Sequence, residues 1–305
     1  MNLRLPLPAH FHFDVVVRSH GWYDLPPFSY DSGRGVLSTM VARGTRAIPI
    51  VFREVRGKLE IVSDGLQRAT LSRITARVFS LNASLDAFAS SLSGEPLLAR
   101  ALSRGGGRML RAPTLFEDAV KVLLTTNCSW EATRGMVTRL IGEAGPEGQA
   151  FPPPSAIAAM SPARLRSKVR CGYRAEPLAR FARRVAGGKL DLREWENGQM
   201  PSESLRAAIL EEHGFGPYAA ESILRILGRH DYLALDSWVR KKYRQLHPGR
   251  VKSTDGSIAR RYSRFGSYRG LALWLDLTRD WHEEGEDVWP RPDGETGRRS
   301  DGVIA

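Results

Sequence analysis

Apolar positions divide the 305-residue chain into two regimes. Phe11, Phe13, Val15 and Val17 alternate with other residues at a period of two, and so do Ala47, Pro49, Val51, Arg53 and Val55 against Ile48, Ile50, Phe52 and Glu54. Arg56-Gly57-Lys58 makes a turn and Leu59-Glu60-Ile61-Val62 returns. Alternation of this kind predicts strands, so residues 11–63 read as a small antiparallel sheet, with a helix near residues 84–92 beside it. The glycine-rich run at residues 103–108 is the expected joint between this region and a helical remainder.

From Thr114 onward the period changes to that of a helix. Leu115, Ala119, Val122 and Leu123 form one stripe, and Met136, Leu140 and Ile141 mark a second. Pro152-Pro153-Pro154 opens a third helix at Ser155, and residues 178–185 form a fourth. Leu205, Ala208 and Ile209 then run into Gly214-Phe215-Gly216-Pro217, and Ala219, Ala220, Ile223, Leu224 and Leu227 come at once after it. That pattern predicts two short helices in a tight hairpin over 203–228, with both glycines serving φ values that a Cβ disfavours. A helix beginning at Asp236 and a last one over 271–281 complete the series. The expected class is α+β: residues 1–105 with the sheet, a mostly helical core over 106–284, and a disordered tail over 285–305 rich in Gly, Asp, Arg and Pro. No repeat of solenoid length is present.

The hairpin carries candidate chemistry. Amides of Gly216 and of the next first helical turn would lack acceptors and cradle a phosphate. Asp236 comes eighteen residues after Tyr218, at the head of a basic helix. Alone, Gly-Phe-Gly-Pro is an ordinary turn and Asp236 an ordinary N-cap. Together, in a chain of net charge +12 and pI near 10.1, they point to DNA and to the breaking of a sugar–base bond. Only Cys128 and Cys171 occur, which excludes a disulfide framework, a four-cysteine zinc site and an iron–sulfur cluster. No secretory signal pattern and no apolar run of membrane-spanning length is present, so the expected location is cytoplasmic, nucleoid-associated if the source is bacterial, with no membrane partner and a monomeric state.

Several segments resemble the helix-hairpin-helix DNA glycosylase superfamily over nearly the whole chain, residues 11–281. His213-Gly214-Phe215-Gly216-Pro217-Tyr218-Ala219-Ala220 resembles its hairpin, and Leu235-Asp236 the turn carrying its catalytic aspartate. The run from Leu110 through Thr125-Thr126-Asn127 resembles the helix leading to the loop that fills the gap left by a flipped base. Cys171-Gly172-Tyr173-Arg174-Ala175 is similar to a segment of 8-oxoguanine glycosylases, and Tyr268 to Trp274 to the closing helix shared with AlkA-type 3-methyladenine glycosylases. The resemblance implies an N-terminal sheet domain of the TATA-binding-protein type and a glycosylase core. It also implies a structural monovalent or calcium ion on the backbone carbonyls of Leu210, Glu212 and Phe215.

The resemblance assigns roles residue by residue. Asp236 would stabilise oxocarbenium-like charge or orient water. Tyr218, Ser222, Trp22, Leu273 and Leu277 would line the base pocket, with Tyr23 a further aromatic wall. Gly214, Phe215, Gly216, Tyr218, Ala219 and Arg240 would hold the DNA backbone. Asn127 and Tyr173 would plug and wedge the vacated stack, and Arg174 would read the orphaned base. Members that also cleave the strand carry a lysine where this chain has Tyr218, so no Schiff base is expected. Leu273 and Leu277 depart from the polar or aromatic base contacts of the closing helix. The reading is a monofunctional DNA N-glycosylase of base excision repair, acting on damaged duplex DNA without a required cofactor, with alkylated purines favoured. Two alternatives stand beside it: an 8-oxoguanine enzyme that reads the opposite cytosine, and a non-catalytic damaged-DNA-binding protein.

Overall fold

The computed structural model describes residues 1–248 and 254–282, so the expected tail over 285–305 lies outside the described residues. Five strands, β1 (Asn2–Pro6), β2 (Ser29–Asp31), β3 (Val36–Arg43), β4 (Arg46–Val55) and β5 (Lys58–Val62), form an antiparallel sheet of order β1-β5-β4-β3-β2. In β4, Ile48, Ile50 and Phe52 are buried at a period of two, and Phe52 stands opposite Leu37 of β3 and Ile61 of β5. This face is covered by Leu71, Ile74 and Val78 of a long helix that comes directly after the sheet. Burying one face of a twisted sheet against a helix is what gives the strands their alternating pattern.

The helices are α1 (Phe13–Val17), α2 (Arg68–Val78), α3 (Asp86–Ser90), α4 (Pro96–Ser103), α5 (Leu115–Thr125), α6 (Trp130–Ala144), α7 (Pro154–Ala158), α8 (Pro162–Arg164), α9 (Ala175–Ala186), α10 (Leu192–Glu196), α11 (Ser202–Leu210), α12 (Pro217–Ile226), α13 (Ser237–Leu246), α14 (Asp255–Tyr262) and α15 (Arg269–Leu277). No helix among the described residues is long and apolar enough to cross a membrane.

One expectation is corrected at the start of the chain: residues 13–17 are helical, not a strand. Phe13, Val16 and Val17, the buried residues of α1, sit at the three- and four-residue spacing of a helix face, whereas the alternating run passes through Phe13, Val15 and Val17. The first strand of the sheet is instead β1, which pairs with β5 at the edge. Its Pro6 ends the strand, where a missing N–H costs no ladder bond.

Two apolar cores organise the fold. The larger joins the sheet and α2 to α5, α6, α9, α11 and α12. The smaller brings Leu85, Phe88, Leu98 and Leu102, around α3 and α4, against Leu271, Ala272 and Leu275 of α15 and the buried faces of α13 and α14. The glycine run between α4 and α5 is accordingly a packed corner. A Cβ on Gly106 would lie 2.8 Å from both the Ala101 carbonyl and Leu275. The chain thus doubles back so that α15 and α13 face α12 across a groove between the cores.

Candidate active site

The hairpin is built by its glycines unequally. Gly214 has φ +92°, and a Cβ there would stand 2.4 Å from Cβ of Pro177, so conformation and space both require glycine. Gly216 is extended (φ −85°, ψ −177°) with open space around its Cα, which corrects the expectation that both glycines serve positive φ. Phe215, between them, is 3% exposed and packs on Phe181 at 4.9 Å, so only its backbone can meet a partner. Ala219 is likewise buried. The amides of Gly216, Tyr218 and Ala219 make no backbone hydrogen bond among the described residues, whereas Ala220 donates to the Gly216 carbonyl at 3.0 Å. Pro217 at the first helical position has no N–H to satisfy. The result is a helix N-terminus with unpartnered donors.

On the other side of the turn, the Glu212 carbonyl accepts the Phe215 amide at 3.0 Å. The Leu210 and Phe215 carbonyls accept no backbone hydrogen bond among the described residues. Carbonyl oxygens of this kind suit a hard cation. The Glu212 carboxylate is engaged elsewhere, by Arg184 at 3.0 Å. Among the described residues no cluster of His, Cys, Asp and Glu side chains forms a metal site.

Asp236 is the N-cap of α13 and its Oδ1 accepts the Val239 amide at 2.7 Å. It also lines a cleft, so the capping role and the candidate chemical role coincide. Helix α12 positions it through two side chains for which the sequence predicted no role. Glu221 accepts the Ala234 amide at 2.9 Å, and Arg225 donates to the Leu233 carbonyl at 2.7 Å. These bonds hold residues 233–234, with Ala234 at φ +48°, immediately before Asp236.

The cleft encloses about 1010 Å³. Its α12 wall carries Tyr218, Ser222 and Arg225, which recur at helical spacing on one face. Asp236 and Trp238 come from α13, Trp274 from α15, Trp130 from α6, and Trp22 from the short turn Gly21–Asp24. The Trp22 and Trp130 rings stack at 6.5 Å with 27° between planes, and the Trp130 indole donates to Asp24 at 2.8 Å. Burial, then the Asp236 charge, push the Tyr218 phenol above its ordinary pKa, so it stays protonated at neutral pH. His20 donates from Nε2 to the Leu110 carbonyl at 2.6 Å, and burial holds its pKa down at about 4, so it is neutral. Burial also lowers the Arg225 guanidinium.

Four expected site residues are placed differently. Leu273 and Leu277 are fully buried in the smaller core, because α15 turns that face inward, and Trp274 on the neighbouring face lines the cleft. Tyr23 meets Tyr30 edge-on at 6.2 Å and does not line the cleft. Arg174 is 6% exposed: it donates to the Thr126 hydroxyl at 3.3 Å and also to the Thr126 carbonyl, and its guanidinium lies 4.5 Å from the Tyr173 ring. Its donors hold a loop and are not turned to a base. That loop presents Asn127, at φ +48°, whose amide donates to the Tyr173 hydroxyl at 3.2 Å. Tyr173 is 60% exposed, so the pair forms a raised rim on the cleft. Arg240 lines the cleft but pairs with Asp255 through two bonds of 2.8 Å.

Trp130, Trp274 and Arg225 were not predicted as site residues. Arg225 alone had a local signal, seven residues beyond Tyr218 on the same helix face. No family model matches the chain. A probable N-glycosylase/DNA lyase of Methanothermobacter thermautotrophicus is 24% identical over 302 residues, covering 89% of this chain and 95% of that protein. The 3-methyladenine DNA-glycosylase from Archaeoglobus fulgidus superposes with TM-score 0.71 at 20% identity, over 92% of this chain and 99% of that one. An 8-oxoguanine glycosylase/lyase of Clostridium acetobutylicum, in complex with double-stranded DNA containing cytosine opposite 8-oxoguanine, gives 0.71 at 17%, over 93% and 99%. The architecture described above is the one these structures share.

Proposed function

We propose that this chain, which has the fold of the helix-hairpin-helix DNA glycosylases, is a DNA N-glycosylase of base excision repair that hydrolyses the bond between a damaged purine and its sugar. The observation that carries the reading is Asp236 at the mouth of α13, facing a cleft of aromatic walls beside the open amides of the hairpin. The amides of Gly216, Tyr218 and Ala219 grip backbone phosphate without reading sequence. The chain's +12 charge supplies the wider attraction.

A base stacked in a duplex is out of reach, so it is extruded into the cleft at a cost of a few kcal/mol. Asn127 and Tyr173 fill the vacated stack, and Arg174 positions them by fixing the Thr126 loop. The Asp236 carboxylate stabilises positive charge growing on the sugar and orients the water that adds to it. The Val239 amide anchors that carboxylate at the N-terminus of α13, at the edge of the cleft. The Leu210, Glu212 and Phe215 carbonyls would hold a monovalent or calcium ion, whose charge would strengthen the hairpin's hold on phosphate.

The enzyme is monofunctional in this reading. Tyr218 offers no amine, and no lysine lines the cleft among the described residues, so a Schiff base has no donor. A non-catalytic DNA-binding protein would need Asp236 only as the N-cap of α13, whereas here the carboxylate also lines the cleft. The test is incubation with lesion-containing duplexes, developed with and without alkali, and a parallel borohydride trap. The expected result is strand breakage only after alkali and no trapped adduct. Trapping with breakage before alkali would overturn the monofunctional reading, and the absence of base release from every lesion would overturn the glycosylase reading.

A further inference from the structure

The hydrolysis outlined above leaves one charge in the cleft unused. The Arg225 guanidinium lies 4.6 Å from the Trp274 ring, donates to the Leu233 carbonyl at 2.7 Å, and keeps a buried Nε with no hydrogen-bond partner among the described residues. No carboxylate is within ion-pair distance of it among the described residues, whereas Arg240, the other arginine lining the cleft, is paired with Asp255. His20 is neutral. The cleft therefore sets one cation, Arg225, and one carboxylate, Asp236, around the space a base would occupy.

Those two signs match the charges that separate when the glycosidic bond of a neutral nucleoside breaks. The electron pair of the carbon–nitrogen bond leaves with the base, which becomes an anion, and the sugar is left as an oxocarbenium-like cation. Water then adds to the anomeric carbon and its released proton returns to the base. A purine alkylated at N3 or N7 is already cationic and departs neutral, so it needs the carboxylate but no cation, and a guanidinium beside it repels the bound state. The tryptophan walls by themselves would welcome such a ring, and the sequence expectation of alkylated purines rests on Tyr218 in place of a lysine, on a pocket walled by Tyr218 and on the closing helix. Arg225 already occupies the neighbourhood of the Trp274 face that a cationic base would take.

We infer that Arg225 is a specificity-determining residue that selects neutral damaged purines bearing a carbonyl oxygen, oxidised or deaminated, over cationic alkylated ones. The inference rests on the glycosylase reading and names the substrate class of that same site. A guanidinium donor on the base oxygen gains strength as the base becomes anionic, which is transition-state stabilisation and not mere binding.

The experiment measures single-turnover base release from matched duplexes carrying 8-oxoguanine, hypoxanthine or 7-methylguanine, with the unmodified protein, Arg225→Gln and Arg225→Lys. The unmodified protein is expected to release one of the neutral bases about tenfold or more faster than 7-methylguanine. Arg225→Gln also frees the Leu233 carbonyl before Asp236 and so slows all three bases, but it should lose about a hundredfold more on that neutral base than on 7-methylguanine, with Arg225→Lys between. Fastest release of 7-methylguanine by the unmodified protein would overturn the inference and leave the glycosylase reading standing, and this ranking does not depend on how the variants fold. An equal loss on all three bases in Arg225→Gln would also overturn it. Release of no base by the unmodified protein would sink the glycosylase reading and the inference with it.

Discussion

The Trp22 indole donates to the Asp118 carboxylate at 2.6 Å, joining a wall of the cleft to the buried face of α5. The same carboxylate accepts the Ala112 amide at 2.9 Å and the Arg77 guanidinium at 2.8 Å. Asp118 is fully buried and is the acceptor for the Trp22 indole and the Ala112 amide, while Arg77 has a second carboxylate partner in Glu196.

Asp118→Ala should therefore cost about 3–5 kcal/mol of stability, because it leaves a buried indole N–H and the Ala112 amide without an acceptor and takes one of two carboxylates from the buried Arg77 guanidinium. Denaturant unfolding measures the loss. A change below about 1 kcal/mol would show that the node does not hold Trp22.

This node also marks where the sequence stopped being legible. The helices after Thr114 were readable from apolar residues recurring at a helical period: Leu115, Ala119, Val122 and Leu123 are all buried, although α5 is buried on its other faces as well, Glu117, Asp118 and Lys121 included. Residues 11–17 were not, since four apolar side chains in the five positions 13–17 supply both a helical set, Phe13, Val16 and Val17, and an alternating one, Phe13, Val15 and Val17. Strand β3 did carry a signal, with Leu37, Thr39 and Val41 buried in alternation, but a threonine in the middle weakens it. The hairpin and Asp236 were legible as local motifs. The tryptophans of the cleft were not, because Trp130 and Trp274 meet it only after α6 and α15 dock from opposite ends of the helical region. Leu273 and Leu277 were misplaced for the same reason: which face of α15 looks inward is decided by α4, and not by α15 itself.

Gly214 and Gly216 should respond in opposite ways to alanine. At Gly214 a positive φ costs about 1–3 kcal/mol, and overlap with Pro177 adds about 1–3 more. Gly214→Ala should lower the melting temperature and weaken binding to all duplexes alike. Gly216→Ala meets open space, so it should leave stability within about 0.5 kcal/mol and affect only the approach of phosphate. Thermal melts with fluorescence binding at several salt concentrations check both. Equal stability of the two variants would contradict the hairpin geometry, and an affinity independent of salt would contradict phosphate grip.

His230 is 7% exposed, and burial, then the charges of Arg225 and Arg111, hold its pKa down at about 3 against an ordinary 6.5. Above pH 6.5 it is neutral folded or unfolded and contributes nothing to the pH dependence. As pH falls from 6.5 towards 3, the unfolded chain takes up a proton that the folded chain refuses, so stability drops by about 1.4 kcal/mol per pH unit. Unfolding free energies between about pH 7 and pH 5 should fall more steeply for the unmodified protein than for His230→Gln. Parallel slopes would mean that His230 is not held neutral.

In the proposed reaction Asp236 performs the bond-breaking step. Asparagine keeps an oxygen for the Val239 amide and remains a good N-cap, so Asp236→Asn preserves the start of α13 while removing the charge. Base release from a lesion duplex under single-turnover conditions, measured alongside duplex affinity for both proteins, is the most direct test. Release should slow by about a thousandfold or more with affinity nearly unchanged, since the carboxylate serves the transition state. Release at the unmodified rate, or a loss of release that merely tracks a loss of binding, would contradict that role.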